Sequence, residues 1–194
     1  MALTKTTVAM LEASGSPSSS NFLRGDGSWS APASGITAMT AVASTSGTSI
    51  DFTGIPSTVK RITVMVDGVS TNSTSQLQIQ IGSGSYTISG YTSVGTGISG
   101  ATVSSITNNT TGFGCGNEGG AAASLRTGAF TLTNISGNIW AATFQYCLSN
   151  VPRAIFGSGN VALSGALDRL RLIGSTTGNP ADTFDAGTIN ILYE

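Results

Sequence analysis

Gln76-Leu77-Gln78-Ile79-Gln80-Ile81 alternates strictly between amide and aliphatic side chains. A period of two puts every aliphatic group on one face of a β-strand and every glutamine on the other. The glutamines are therefore expected on the solvent side. Outward from this segment the pattern repeats. Val59–Asp67 sets Ile62, Val64 and Val66 on one face, and Ile139–Leu148 does the same for Trp140, Phe144 and Tyr146. Strands are also expected over Thr48–Phe52, Ser85–Tyr91, Ala101–Thr107, Ala129–Ile135, Val161–Ser164, Leu167–Ile173 and Thr188–Tyr193. Between them stand turn signals: Asp67-Gly68, Gly82-Ser83-Gly84, Ser136-Gly137-Asn138 and Gly157-Ser158-Gly159-Asn160. No segment holds a 3.6-residue period beyond about two turns. The pattern predicts an all-β sandwich with jelly-roll-like connections.

The composition is unusual for such a domain. Of 194 residues only 9% are charged, 8 Lys+Arg against 9 Asp+Glu, where roughly a quarter is ordinary. Gly, Ser and Thr supply about two residues in five, so neutral hydroxyls and glycines must cover the outside. A net charge of −1 gives no electrostatic footing on nucleic acid or an anionic membrane. No apolar run approaches the ~20 residues of a membrane span, and the Met1–Lys5 opening lacks a secretory apolar region. The absence of histidine removes the Ser-His-Asp and Cys-His constellations and the commonest metal ligand. No catalytic, cofactor-binding or metal-binding residues are expected. Cys147, inside the apolar run ending at Leu148, reads as a small buried hydrophobe; Cys115 lies in the flexible Gly112–Gly116 stretch.

Residues 1–35 differ from 36–194, the expected β-sandwich domain. Leu3, Val8, Met10 and Leu11 form a short apolar segment, and Ser14–Ser20 is a linker without core-forming side chains. Asn21-Phe22-Leu23-Arg24-Gly25-Asp26-Gly27-Ser28-Trp29 follows, with large apolar anchors on either side of a Gly-Asp-Gly turn. With no core nearby to receive them, Leu3, Met10, Leu11, Phe22, Leu23 and Trp29 are expected to dock on another domain or another chain. The Arg24-Gly25-Asp26 triplet reads as turn chemistry, with Gly25 and Gly27 at positive φ and Asp26 as cap.

The Phe22–Trp29 string, preceded by Leu3-Thr4-Lys5 and the Ser/Pro-rich linker, resembles a connector in fibre and tail-tip proteins of tailed bacteriophages. Ser49–Pro56 and Phe184–Glu194 are also similar to phage and prophage virion segments. The resemblance covers about a third of the chain. It implies a homotrimer in the virion, attached to another particle protein by its N-terminal arm, with an outward β-domain. That implies a short tail fibre or tail-tip protein binding a host surface glycan; a capsid decoration or head-fibre protein is the alternative, since no shaft repeat is present.

Gly95–Ala123 matches nothing in that resemblance and is the expected variable region. Glycan recognition needs aromatic platforms and neutral hydrogen-bonding groups, which Tyr86, Tyr91, Asn108, Asn109, Phe113, Asn117 and Glu118 offer; the last five form the expected receptor-facing loop. Asp182 and Asp185, the nearest carboxylate neighbours, are expected at the surface. Glycoside cleavage needs two converging carboxylates, and the acids here are scattered. Arg169 and Arg171 make one strand face basic, either solvated or ion-paired with Asp168, Asp182, Asp185 or Glu194 across subunits.

Overall fold

The computed structural model describes residues 14–32, 35–103, 107–116, 118, 121–122 and 124–194, with Thr107 by its backbone alone. It separates into two compact units, Met1–Gly35 and Ile36–Glu194. Among the described residues every regular element is a β-strand.

In the first unit β1 (Phe22–Leu23) and β2 (Trp29–Ser30) form a short hairpin. Asp26 Oδ1 closes its turn by accepting from the Ser28 amide at 2.9 Å and the Ser28 hydroxyl at 2.7 Å. Those bonds hold the carboxyl below its usual pKa. Of the two glycines only Gly27 has positive φ (+80°), which corrects the expectation for Gly25. Ser14 bridges to this hairpin, its amide donating to Gly27 O and its carbonyl accepting from the Trp29 amide. Phe22 and Leu23 are exposed and Trp29 is half-buried.

The second unit contains β3 (Thr37–Ala38), β4 (Val42–Ala43), β5 (Ser49–Thr53), β6 (Arg61–Thr71), β7 (Leu77–Ser83), β8 (Ser85–Tyr86), β9 (Thr92–Ser99), β10 (Thr102–Val103) and β11 (Thr107–Asn109). It continues through β12 (Arg126–Ser136), β13 (Ile139–Leu148), β14 (Arg153–Ala162), β15 (Arg169–Gly174) and β16 (Phe184–Tyr193). The small antiparallel sheet runs β5-β15-β7-β8. The large one runs β10-β9-β14-β13-β12-β6-β16-β3, with β11 also on β9 and β4 also on β16. Inward rows of both sheets share one core: Ile50, Phe52, Ile79, Ile81, Leu170 and Leu172 from the small sheet, Val64, Phe130, Leu132, Phe144 and Ile191 from the large one. Aromatic parity on β13 is as expected. Phe144 and Tyr146 face inward, each within 5.5 Å of the Phe130 ring centroid.

Three expectations are corrected here. Gln78 and Gln80 are fully buried rather than outward, because the segments around 109–114 and 175–178 fold over that face of β7. Cys147 has odd parity on β13 and is exposed, whereas Cys115 is buried, and the two are not bridged. Two turn signals lie inside strands. Gly68 (φ +62°) sits in β6 opposite register shifts in β12 and β16, where bulges bend the sheet. Gly157 and Gly159 lie in β14.

Gly157 pairs with Gly95 on one side and Phe144 on the other. A Cβ at Gly157 would overlap the Phe144 ring and the Val94 carbonyl; one at Gly95 would meet the same ring at 2.9 Å. The glycines are there so that the Phe144 ring can lie across two strands. The same pair explains why β9, with Gly95 and Gly97, does not stand out as a strand in the sequence. Gly157→Val is expected to destabilise the domain by about 1–3 kcal/mol through overpacking. Urea unfolding followed by tryptophan fluorescence checks this; an unchanged midpoint would contradict the packing described.

Candidate functional site

The outer face of the small sheet gathers the charged side chains. On β15, Leu170 and Leu172 point into the core, so the period-two rule turns Arg169 and Arg171 outward. Arg171 lies opposite Asp51 of β5 and Gln80 of β7; Arg169 lies opposite Gly82, whose other partner is Tyr86. The buried Gln80 amide fixes the geometry. Its Nε2 donates to the carbonyls of Thr111 at 2.7 Å and Gly178 at 2.8 Å, which leaves Oε1 to accept from Arg171 Nε at 2.8 Å. The Arg171 guanidinium lies over the Tyr86 ring, 4.3 Å from its centroid. Its two terminal nitrogens have no partner among the described residues.

Arg169 is committed differently. It makes a two-pronged contact with the adjacent Asp168, 2.8 Å and 3.2 Å, and that carboxylate also accepts from the Gly84 amide. The Asp168 pair thus lies within the chain. These hydrogen bonds lower the Asp168 pKa and raise that of Arg169. Burial, reinforced by Asp51, raises the Tyr86 phenol pKa despite both guanidinium groups, so it stays protonated at neutral pH. Two cations (Arg169 and Arg171) face two carboxylates (Asp51 and Asp168), and the surface is neutral.

The expected receptor-facing loop divides. Asn108 is exposed, whereas Asn109, Phe113 and Glu118 are buried. Asn117, with Leu3, Met10 and Leu11, lies outside the described residues. Asn109 Oδ1 accepts from the Thr111 amide and hydroxyl. Phe113 exchanges two 2.8 Å backbone hydrogen bonds with Ile79 and meets the buried Tyr91 ring edge-on at 5.0 Å. The Tyr91 hydroxyl accepts from the Ile81 amide at 2.9 Å, and burial raises its pKa. These aromatics therefore serve the core, because the segment is folded onto β7.

Glu118 is part of a buried ionic cluster. It pairs with Arg126, which is fully buried, and accepts from the Tyr146 hydroxyl at 2.9 Å; its carbonyl accepts from Arg153 at 2.7 Å. Arg126 also donates to the carbonyls of Ser124 and Ser75. Burial, then the neighbouring Glu118 carboxylate, lifts the Tyr146 pKa far above the usual tyrosine value. Sequence reasoning missed Arg126, although it shares the inward parity of Phe130 and Leu132 on β12.

Asp182 is buried rather than at the surface and accepts from the Ser75 amide; Asp185 is exposed and accepts from the Ser70 hydroxyl. Among the described residues no group of three or more His, Cys, Asp or Glu is gathered to hold a metal ion.

Removing one partner of a buried ion pair leaves the other charge uncompensated. Glu118→Ala is expected to lower stability by about 3–5 kcal/mol, and the double replacement Glu118→Leu with Arg126→Met much less. Chemical denaturation of the three proteins checks this; equal losses would contradict the pairing. A scan of protein-family models and searches of curated proteins and of solved structures find no match for the chain.

Proposed function

We propose that the chain is a bacteriophage virion structural protein, a short homotrimeric tail fibre or tail-tip protein. Residues 1–35 attach it to another particle protein, and its β-domain, a sandwich with jelly-roll-like connections, meets the host surface. The observation that carries the assembly claim is the outer face of the large sheet. From β16 to β9 one row reads Leu192, Thr63, Thr131, Thr143, Ser158, Val94, without a charge across six strands. Arg61, Asp67 and Asp185 are the exposed charges in these strands; Arg61 and Asp185 stand at strand ends, and Asp67 stands within β6 opposite Thr188. Six strands at about 4.8 Å spacing and four rows about 6.7 Å apart span about 770 Å²; the two middle rows carry no charge, and Arg61 and Asp67 stand in the two flanking ones. A standard interface buries ~800 Å² per partner.

A second copy is the occupant this face fits. Like-charged surfaces repel when a chain meets itself, and this face is neutral. It also lacks the lysines and glutamates with which a sheet-rich monomer usually guards its surface. The exposed Phe22 and Leu23 support attachment through the hairpin. Alternation of the chain between sheets, β5 to β6 to β7 and β15 to β16, supports the jelly-roll connection. On the particle the contacts would be individually weak and multiplied by copy number. The decoration reading keeps one specific support: the segment expected to face a receptor is folded inward at Phe113 and Glu118.

Size-exclusion chromatography with light scattering is expected to give three times the 19.4 kDa chain mass at micromolar concentration. Thr143→Glu, placing a carboxylate mid-face in every copy, should weaken association at least about tenfold. A monomeric wild-type protein would overturn the trimer. Deleting residues 1–30 should abolish incorporation into particles, and retained incorporation would overturn the attachment role.

A further inference from the structure

We propose that the outer face of the small sheet is a binding site for a neutral saccharide, which it grips by a vicinal diol between Arg171 and Asp51. This rests on the adhesion reading above and names the surface that performs it.

The argument begins with what Arg171 has and lacks. Its Nε is held by the buried Gln80 side-chain oxygen at 2.8 Å, and its Cζ lies over the Tyr86 ring, 4.3 Å from the centroid. A guanidinium fixed at two points keeps its terminal N–H groups aimed in one direction, so little freedom is lost when a ligand takes them. Those N–H groups are unclaimed among the described residues. Arg169, 5.9 Å from the same ring, has already spent its fork on Asp168.

Asp51 supplies the complementary half. It is exposed and is the cross-strand partner of Arg171; the Ser49 hydroxyl donates to its Oδ2 and the Tyr86 phenol lies beside the same carboxylate, whose two oxygens offer about four lone pairs and so keep acceptor capacity for a donor from solution. A site with donors on one side and an acceptor beside them matches adjacent hydroxyls on a sugar ring, one accepting from Arg171 and one donating to Asp51. Zero net charge across Arg169, Arg171, Asp51 and Asp168 argues for an uncharged ligand. An anionic ligand on the unpaired fork would be repelled by the Asp51 carboxylate on the neighbouring strand.

The test uses the full chain labelled with nitrogen-15, reading the arginine Nε–H signals while methyl α-D-mannopyranoside or sodium galacturonate is added. The mannoside is expected to shift the Arg171 signal saturably in the millimolar range. Arg171→Lys, which keeps charge but loses the fork, and Asp51→Asn, which keeps shape but loses the charged acceptor, should each weaken binding about tenfold. No shift with the mannoside at about 100 mM, a concentration that detects even a weak site, overturns the proposal. A response to galacturonate alone overturns it in favour of an anion site. Host-cell pull-down separates the two levels. Undiminished adhesion by both variants overturns this site while leaving adhesion standing; saccharide binding without cell adhesion supports the site and overturns the adhesion reading.

Discussion

The small sheet depends on β7 being buried on both faces. Its aliphatic side packs on the core, while its glutamine side lies beneath two chain segments. Gln78 Nε2 donates to the Ser175 carbonyl at 2.7 Å, and its Oε1 shares the single Thr111 hydroxyl proton with Asn109 Oδ1. Gln80 bonds the carbonyls of Thr111 and Gly178. A buried amide left without partners costs about 1–3 kcal/mol, so these bonds lock the covering segments to the strand. Approach this close needs small residues. A Cβ on Gly112 would meet Gln78 Oε1 at 2.9 Å, and one on Gly114 would overlap the Leu77 carbonyl. The same amides then decide the surface, since Gln80 orients Arg171.

Fold class, most strand positions and the face assignments of β6, β13 and β15 were legible because period-two burial leaves a local trace. The Gly82–Gly84 and Ser136–Asn138 turns were legible for the same kind of reason: Gly84 and Gly137 both adopt positive φ in hairpins. What could not be read locally depends on partners distant in sequence. Gly157 looks like a turn residue until Phe144 is placed beside it. Gln80 looks like a solvent residue until Thr111 and Gly178 are laid over it. Cys147 was the exception, since its odd parity beside Trp140, Phe144 and Tyr146 already placed it outside.

The candidate site was legible only in part. Arg169 and Arg171 announced a basic face and Tyr86 an aromatic platform, but the union with Asp51 and Gln80 requires the β5-β15-β7 order. Asn109, Phe113 and Glu118 look like loop chemistry in the sequence. In the fold, Asn109 and Phe113 help hold the chain onto β7, and Glu118 neutralises Arg126. A chain with 9% charged residues places several of them in internal pairs and clusters, which leaves the large sheet with a broad neutral surface. That surface and the exposed hairpin anchors are the two features that favour assembly over solitary life in solution.

The central claim is that this chain belongs to a phage particle and sits where the particle meets its host. Immunogold electron microscopy of intact particles from a lysate of the strain encoding it, with an antibody against residues 36–194, tests that most directly. The account predicts label concentrated at the tail end. Particles without label would contradict the virion assignment, and label spread over the head would contradict the tail assignment and establish decoration of the capsid instead.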